Sequence, residues 1–147
     1  MNKIVNMIFL GALLVVSRLI GLPANMQPLL GVGVVAPYIS KSELSVFYPL
    51  VIMYASDVFL GFHDQMAYTY VALLLSGIIS RLLYNKIYTS LLCSWLVWHV
   101  LANLGLQYPP FSIEALAFDL RFLISGLGVV VTFDLTRRLW QTAYREV

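Results

Sequence analysis

Charge is what this sequence has least of: 11% of its 147 residues are Asp, Glu, Lys or Arg, against roughly a quarter in an average soluble domain. Hydrophobic residues make up 61%, so a water-soluble fold of this length would lack the polar side chains to cover itself. The expected solvent is therefore a lipid bilayer. A single cysteine, Cys93, excludes an internal disulfide and reads as a small buried apolar residue. Two histidines are few for a metal centre, and His63 and His99 stand at no known ligand spacing, so neither metal nor cofactor is expected. Also missing are a GxSxG elbow, an HExxH pair, a phosphate-cradling glycine loop and a paired-carboxylate motif. Without a nucleophile and base together, the chain is expected not to be an enzyme. The strict polar–apolar alternation of a membrane β-barrel is absent as well.

What is present is a series of apolar runs separated by helix breakers. Lipid cannot satisfy backbone amides and carbonyls, so such runs must be helices. Crossing takes about 20 residues each. The first run, Ile4 to Ile20, ends at Gly21 and Pro23. No small-x-small cleavage site precedes Pro23, so the run reads as a retained span rather than a signal peptide. The second, Pro28 to Ile39, contains Gly31 and Gly33 and rises only about 18 Å as a helix. Ser40 to Glu43 has capping-box spacing and opens the third run, Leu44 to Leu60. The fourth extends from Met66 to about Tyr84, with a tight turn at Asn85 and Lys86. The fifth covers Ile87 to Leu104 and closes at Gly105, Pro109 and Pro110. Ser112 caps the sixth, Glu114 sits in its first turn, and the helix reaches about Leu139. The expectation is one all-α transmembrane domain of six helices spanning residues 1–147.

Cytoplasmic loops of membrane proteins collect Lys and Arg. With the N-terminus inside, Lys3, Lys41, Arg81, Lys86, Arg137, Arg138 and Arg145 fall on the cytoplasmic side, and only Arg18 and Arg121 of the nine cations fall outside. The topology expected is N-in and C-in, which requires the short second run to be a span. The net charge of +2 reflects this sorting and gives no reason to invoke nucleic acid.

Oriented in this way, the polar residues in or beside the spans gather at the outer end. Ionisable groups within a span are costly and usually face a partner or a wet cavity. Trp95, His99 and Asn103 recur every four residues on one face of the fifth helix. They could bind a ligand by stacking and hydrogen bonding, or fasten the bundle as interhelical bonds. Arg18 and Asp57 lie at similar depth on the first and third helices and could form an ion pair. Ala72, Ser76 and Ser80 form a small-residue stripe on the fourth helix, and Ser125, Gly126 and Gly128 offer a similar surface on the sixth.

The stretches Arg18 to Pro28 (RLIGLPANMQP) and Pro49 to His63 (PLVIMYASDVFLGFH) resemble an uncharacterised group of small membrane proteins often classed with the S components of energy-coupling-factor transporters. The likeness rests on Arg18, the Pro23 to Pro28 element, Ser56-Asp57, and Leu60 to His63. It implies a six-helix, S-component-like bundle in a prokaryotic cytoplasmic membrane. Such a subunit captures a micronutrient or vitamin at the outer face and hands it to a transmembrane coupling subunit driven by two ATPases. The residues expected to line or gate the pocket are Asn25, Asp57, His63, His99 and Asn103, with Arg18 and Trp95 beside them. Nickel and cobalt uptake subunits carry a histidine directly after the initiator methionine, where this chain has Asn2. The alternative expectation is a scaffold subunit of a larger membrane assembly, with the polar cluster as an interaction surface.

Overall fold

A computed structural model describes residues 3–21, 26–62, 64–105, 107 and 112–143. All regular structure among them is helical: α1 (Lys3–Leu19), α2 (Leu29–Ile39), a 3-10 turn (Glu43–Phe47), α3 (Tyr48–Leu60), α4 (Met66–Leu82), α5 (Ile87–Gly105) and α6 (Ile113–Ala143). Three segments are long and apolar enough to cross a membrane: Glu43–Leu60, Ile87–Gly105 and Ile113–Thr142. Two further apolar helices, α2 and α4, are shorter. The expected breakers Pro23, Pro109 and Pro110 lie outside the described residues.

The shortest helix is the centre of the bundle. α2 packs against α3, α4, α5 and α6, and every residue from Leu29 to Pro37 is buried. Its glycines allow this. A Cβ on Gly31 would stand 2.6 Å from the Gly126 carbonyl on α6, and one on Gly33 would collide with Ser76 Oγ on α4. The small-residue stripe of α4 is therefore internal: Ala72, Ser76 and Ser80 are fully buried, and Ser80 Oγ donates to the Val34 carbonyl. On α6, Gly126 is the contact residue, whereas Gly128 faces open space. α1 lies at the edge, packed chiefly on α3.

Two local expectations change. Ser40 does not open the third run; its amide bonds the Ala36 carbonyl and closes α2. Ser42 takes the cap instead, accepting from the Leu44 amide at 3.3 Å. The turn that follows is 3-10, and α3 begins only at Tyr48, with Pro49 in its first turn where a missing N–H costs nothing. Gly61 ends α3 at φ 93°, a conformation that side-chain-bearing residues rarely adopt. At α6, Ser112 Oγ does accept from the Ala115 amide at 3.1 Å, as expected.

Large apolar side chains cover the outside of the bundle, among them Phe59, Leu82, Ile113 and Leu139, each more than two-thirds exposed. Apolar surface this extensive is unusual for a soluble monomer and suits contact with lipid or a partner.

Candidate functional site

Successive helices run in alternating directions, which fixes two ends. The ends of α1, α3 and α5 and the starts of α2, α4 and α6 share one of them. There, Ser125 Oγ on α6 donates to the Gln27 carbonyl just before α2, and Gly105 at the end of α5 lies against the Tyr68 ring near the start of α4. Five of the seven residues predicted for the site are described: Arg18, Asp57, His99 and Asn103 lie toward this end, and Trp95 lies at the middle of α5. Asn25 and His63 lie outside the described residues.

Arg18 and Asp57 form the expected ion pair, with Arg18 Nη2 2.9 Å from Asp57 Oδ1. Both are buried, Asp57 at 2% exposure. A charge removed from solvent needs a counter-charge and hydrogen bonds to fill its remaining sites. Arg18 Nη1 donates to Ser56 Oγ at 2.7 Å and to the Met53 carbonyl at 3.3 Å. Tyr70 Oη on α4 donates to Asp57 Oδ2 at 3.0 Å. The network thus ties α1, α3 and α4 together, and Ser56 orients the guanidinium while itself donating back to the Met53 carbonyl. Ser56 and Tyr70 were not among the expected site residues. Ser56 adjoins Asp57 in the quoted element, but nothing in the sequence marks Tyr70 as its neighbour.

A second network joins α5 to α6. Along α5 the buried residues come in pairs one turn apart: Ser90 and Leu91, Ser94 and Trp95, Trp98 and His99, Ala102 and Asn103. Trp95, His99 and Asn103 therefore share the inward face, as their spacing predicts. Their partner is Asp119 on α6, 2% exposed. His99 Nδ1 is 2.8 Å from Asp119 Oδ2, within hydrogen-bond distance, and 3.2 Å from Asn103 Nδ2. Asn103 Nδ2 donates to the same carboxylate oxygen at 2.8 Å and to the His99 carbonyl at 2.6 Å. Trp95 Nε1 donates to the Asp119 carbonyl at 2.8 Å, and its ring stacks on His99 with centroids 5.7 Å apart. One acidic residue thus collects all three. Its place in an apolar stretch of the sixth run was the signal, for a carboxylate at that depth needs donors.

No hydrogen bond joins the two networks among the described residues. The first occupies the α1–α3–α4 flank and the second the α5–α6 flank. Beside the second, Ser94 Oγ and Trp98 Nε1, one turn apart on α5, are buried without a hydrogen-bond partner among the described residues. Among the described residues no three His, Cys, Asp or Glu side chains converge as metal ligands would.

The chain belongs to a family of unknown function, DUF6580, whose model matches residues 1–133. No curated protein and no solved structure matches it.

Proposed function

We propose that this family member is a multi-pass protein of a prokaryotic cytoplasmic membrane, with six spans and both termini inside, that captures a small polar micronutrient at its outer end. The observation that carries this reading is the concentration of buried ionisable groups at one end: Arg18, Asp57, His99 and Asp119 lie within two interhelical networks. In a bilayer, charges at such depth are costly and mark functional sites more often than not. The cation count supplies the orientation.

A ligand would exploit the networks by exchange. A polar solute entering between the flanks would take over hydrogen bonds that His99 and Asn103 now make to Asp119, or that Tyr70 makes to Asp57. Ligands unable to replace those bonds would be rejected, because the separated groups would stay buried and unpaired. On this reading the chain hydrolyses nothing itself and depends on a coupling subunit and ATPases for transport.

The test is binding to the purified protein. A vitamin and nucleobase panel should include a compound that raises the melting temperature, and the His99→Leu/Asn103→Leu double variant should lose that shift while keeping its helical signal. Full retention of the shift in the double variant would assign His99 and Asn103 to packing alone.

A scaffold reading is favoured by one observation, the mutual pairing of these groups across helix boundaries. Interhelical bonds of this kind can serve solely to hold helices together. Co-purification separates the two, since a transporter subunit brings ATPases and a scaffold brings other membrane partners.

A further inference from the structure

At the opposite end of the bundle, a cleft of about 280 Å³ opens between the end of α2, the α4–α5 turn and the last third of α6. Its aromatic wall is Tyr38 stacked on Tyr84, with ring centroids 4.6 Å apart and planes 11° from parallel. Phe133 closes edge-on against Tyr38 at 6.0 Å. Three cations, Lys86, Arg137 and Arg138, line it against one acid, Asp134.

That acid is already engaged. Arg138 contacts Asp134 Oδ2 through Nη2 and Nε, both at 3.0 Å, and Tyr88 Oη donates to the same oxygen at 3.1 Å. Lys86 and Arg137 are exposed and form no ion pair among the described residues; Arg137 acts on Asp134 only through space. A smaller cleft of about 150 Å³ shares Tyr84 and adds Lys41 and Arg81. Arg81 is oriented there by its bond to the Ser42 carbonyl at 2.8 Å. Five cations thus surround a pair of stacked tyrosines.

We infer that these joined clefts bind a phosphate group, that of an anionic phospholipid headgroup. The cations supply donors and charge for phosphate oxygens. Basic pockets between helix ends on the cytoplasmic side are suited to such headgroups. The apolar flanks select the lipid over a free phosphate. Leu135, Leu139 and Trp140 on α6 and Leu82 on α4 are all more than half exposed and offer acyl chains a surface beside the cationic rim. Trp140, Tyr84 and Tyr88 are the residue types that settle at the membrane–water boundary. The inference shares with the proposed function only its orientation, and the outer-end networks take no part in it.

The experiment is native mass spectrometry and thermal shift on the detergent-purified full chain, titrated with phosphatidylglycerol, phosphatidylcholine or inorganic phosphate. Phosphatidylglycerol should be retained and should raise the melting temperature, with both effects weakening as salt rises. The Lys86→Gln/Arg137→Gln double variant should lose about thirtyfold in phosphatidylglycerol affinity, following about 1 kcal/mol for each cation near the lipid surface. Arg121→Gln, which removes an exposed cation at the other end, should leave it unchanged. Equal retention of phosphatidylcholine, or equal loss in Arg121→Gln, would overturn the site. Inorganic phosphate binding as tightly as the lipid would overturn the assignment to a headgroup. Because the assay contains no micronutrient, its failure leaves the outer-end reading standing, and loss of that reading leaves this one standing.

Discussion

The two ends of the bundle use charge in opposite ways. Where Arg18, Asp57, His99 and Asp119 gather, ionisable side chains point inward and pair with one another across helix boundaries. Where Lys86, Arg137 and Arg138 gather, the cations line an open cleft, and the one acid among them satisfies only Arg138. Inward charges can be removed only by leaving a partner stranded in a poorly solvated place. Rim charges can be removed with little consequence for the fold. The difference teaches what recognition would cost at each end: the inward networks can meet a ligand only by exchanging bonds that also tie helices together, whereas Lys86 and Arg137 on the rim can meet an outside group without giving up an ion pair among the described residues.

The sharpest way to break this contrast is to strand Arg18. Asp57→Leu should destabilise the protein by about 3–5 kcal/mol, the usual cost of leaving one member of a buried pair uncompensated, measured by denaturant unfolding in detergent. The Arg18→Leu/Asp57→Leu double variant should recover most of that loss, since neither charge remains to be solvated. A double variant as unstable as the single one would show that packing rather than charge is at stake. A smaller effect is expected on the other flank. Asp119→Ala removes the acceptor for His99 and Asn103 and should cost about 1–2 kcal/mol, in the range of interhelical hydrogen bonds in membranes. Asp119→Asn should cost less if its amide oxygen still accepts from Asn103. Least of all, Arg137→Gln should change stability by no more than about 0.5 kcal/mol, as exposed substitutions do. A large loss there would mean the cationic rim is part of the internal scaffold after all.

Much of the helical pattern was legible in the sequence because hydrophobic runs and breakers are local signals. α3, α4 and α5 end within two residues of their expected limits, and the four-residue spacing of Trp95, His99 and Asn103 correctly places them on one buried face. The Arg18–Asp57 pair was legible too, as two opposite charges at matching depth. Other features depend on which helices become neighbours, and no local pattern reports that. Tyr70 reaches Asp57 because α4 packs beside α3, and Asp119 gathers three α5 side chains because α6 lies against α5. The Ser40–Glu43 motif misleads for a related reason. α2 extends far enough to claim Ser40 as its own terminus, so the cap passes to Ser42. Asp134 and Arg138, four apart on α6, form an ion pair that local spacing could have revealed.

The central position of α2 bears on how the protein is made. Eleven residues rise about 17 Å, little more than half of a typical hydrocarbon core. Two of those residues are glycine and one is proline, all poor helix formers. Such a segment gains little by entering a membrane alone, and the neighbours that enclose it are synthesised afterwards, α6 last of all. If α2 crosses a membrane, as the proposed six-span reading has it, it should therefore wait in a shallow or transient position during translation until α4, α5 and α6 arrive to surround it. Assembly would then end at the middle of the molecule, and a chain stalled before α6 would expose its most sequestered helix to the quality-control machinery.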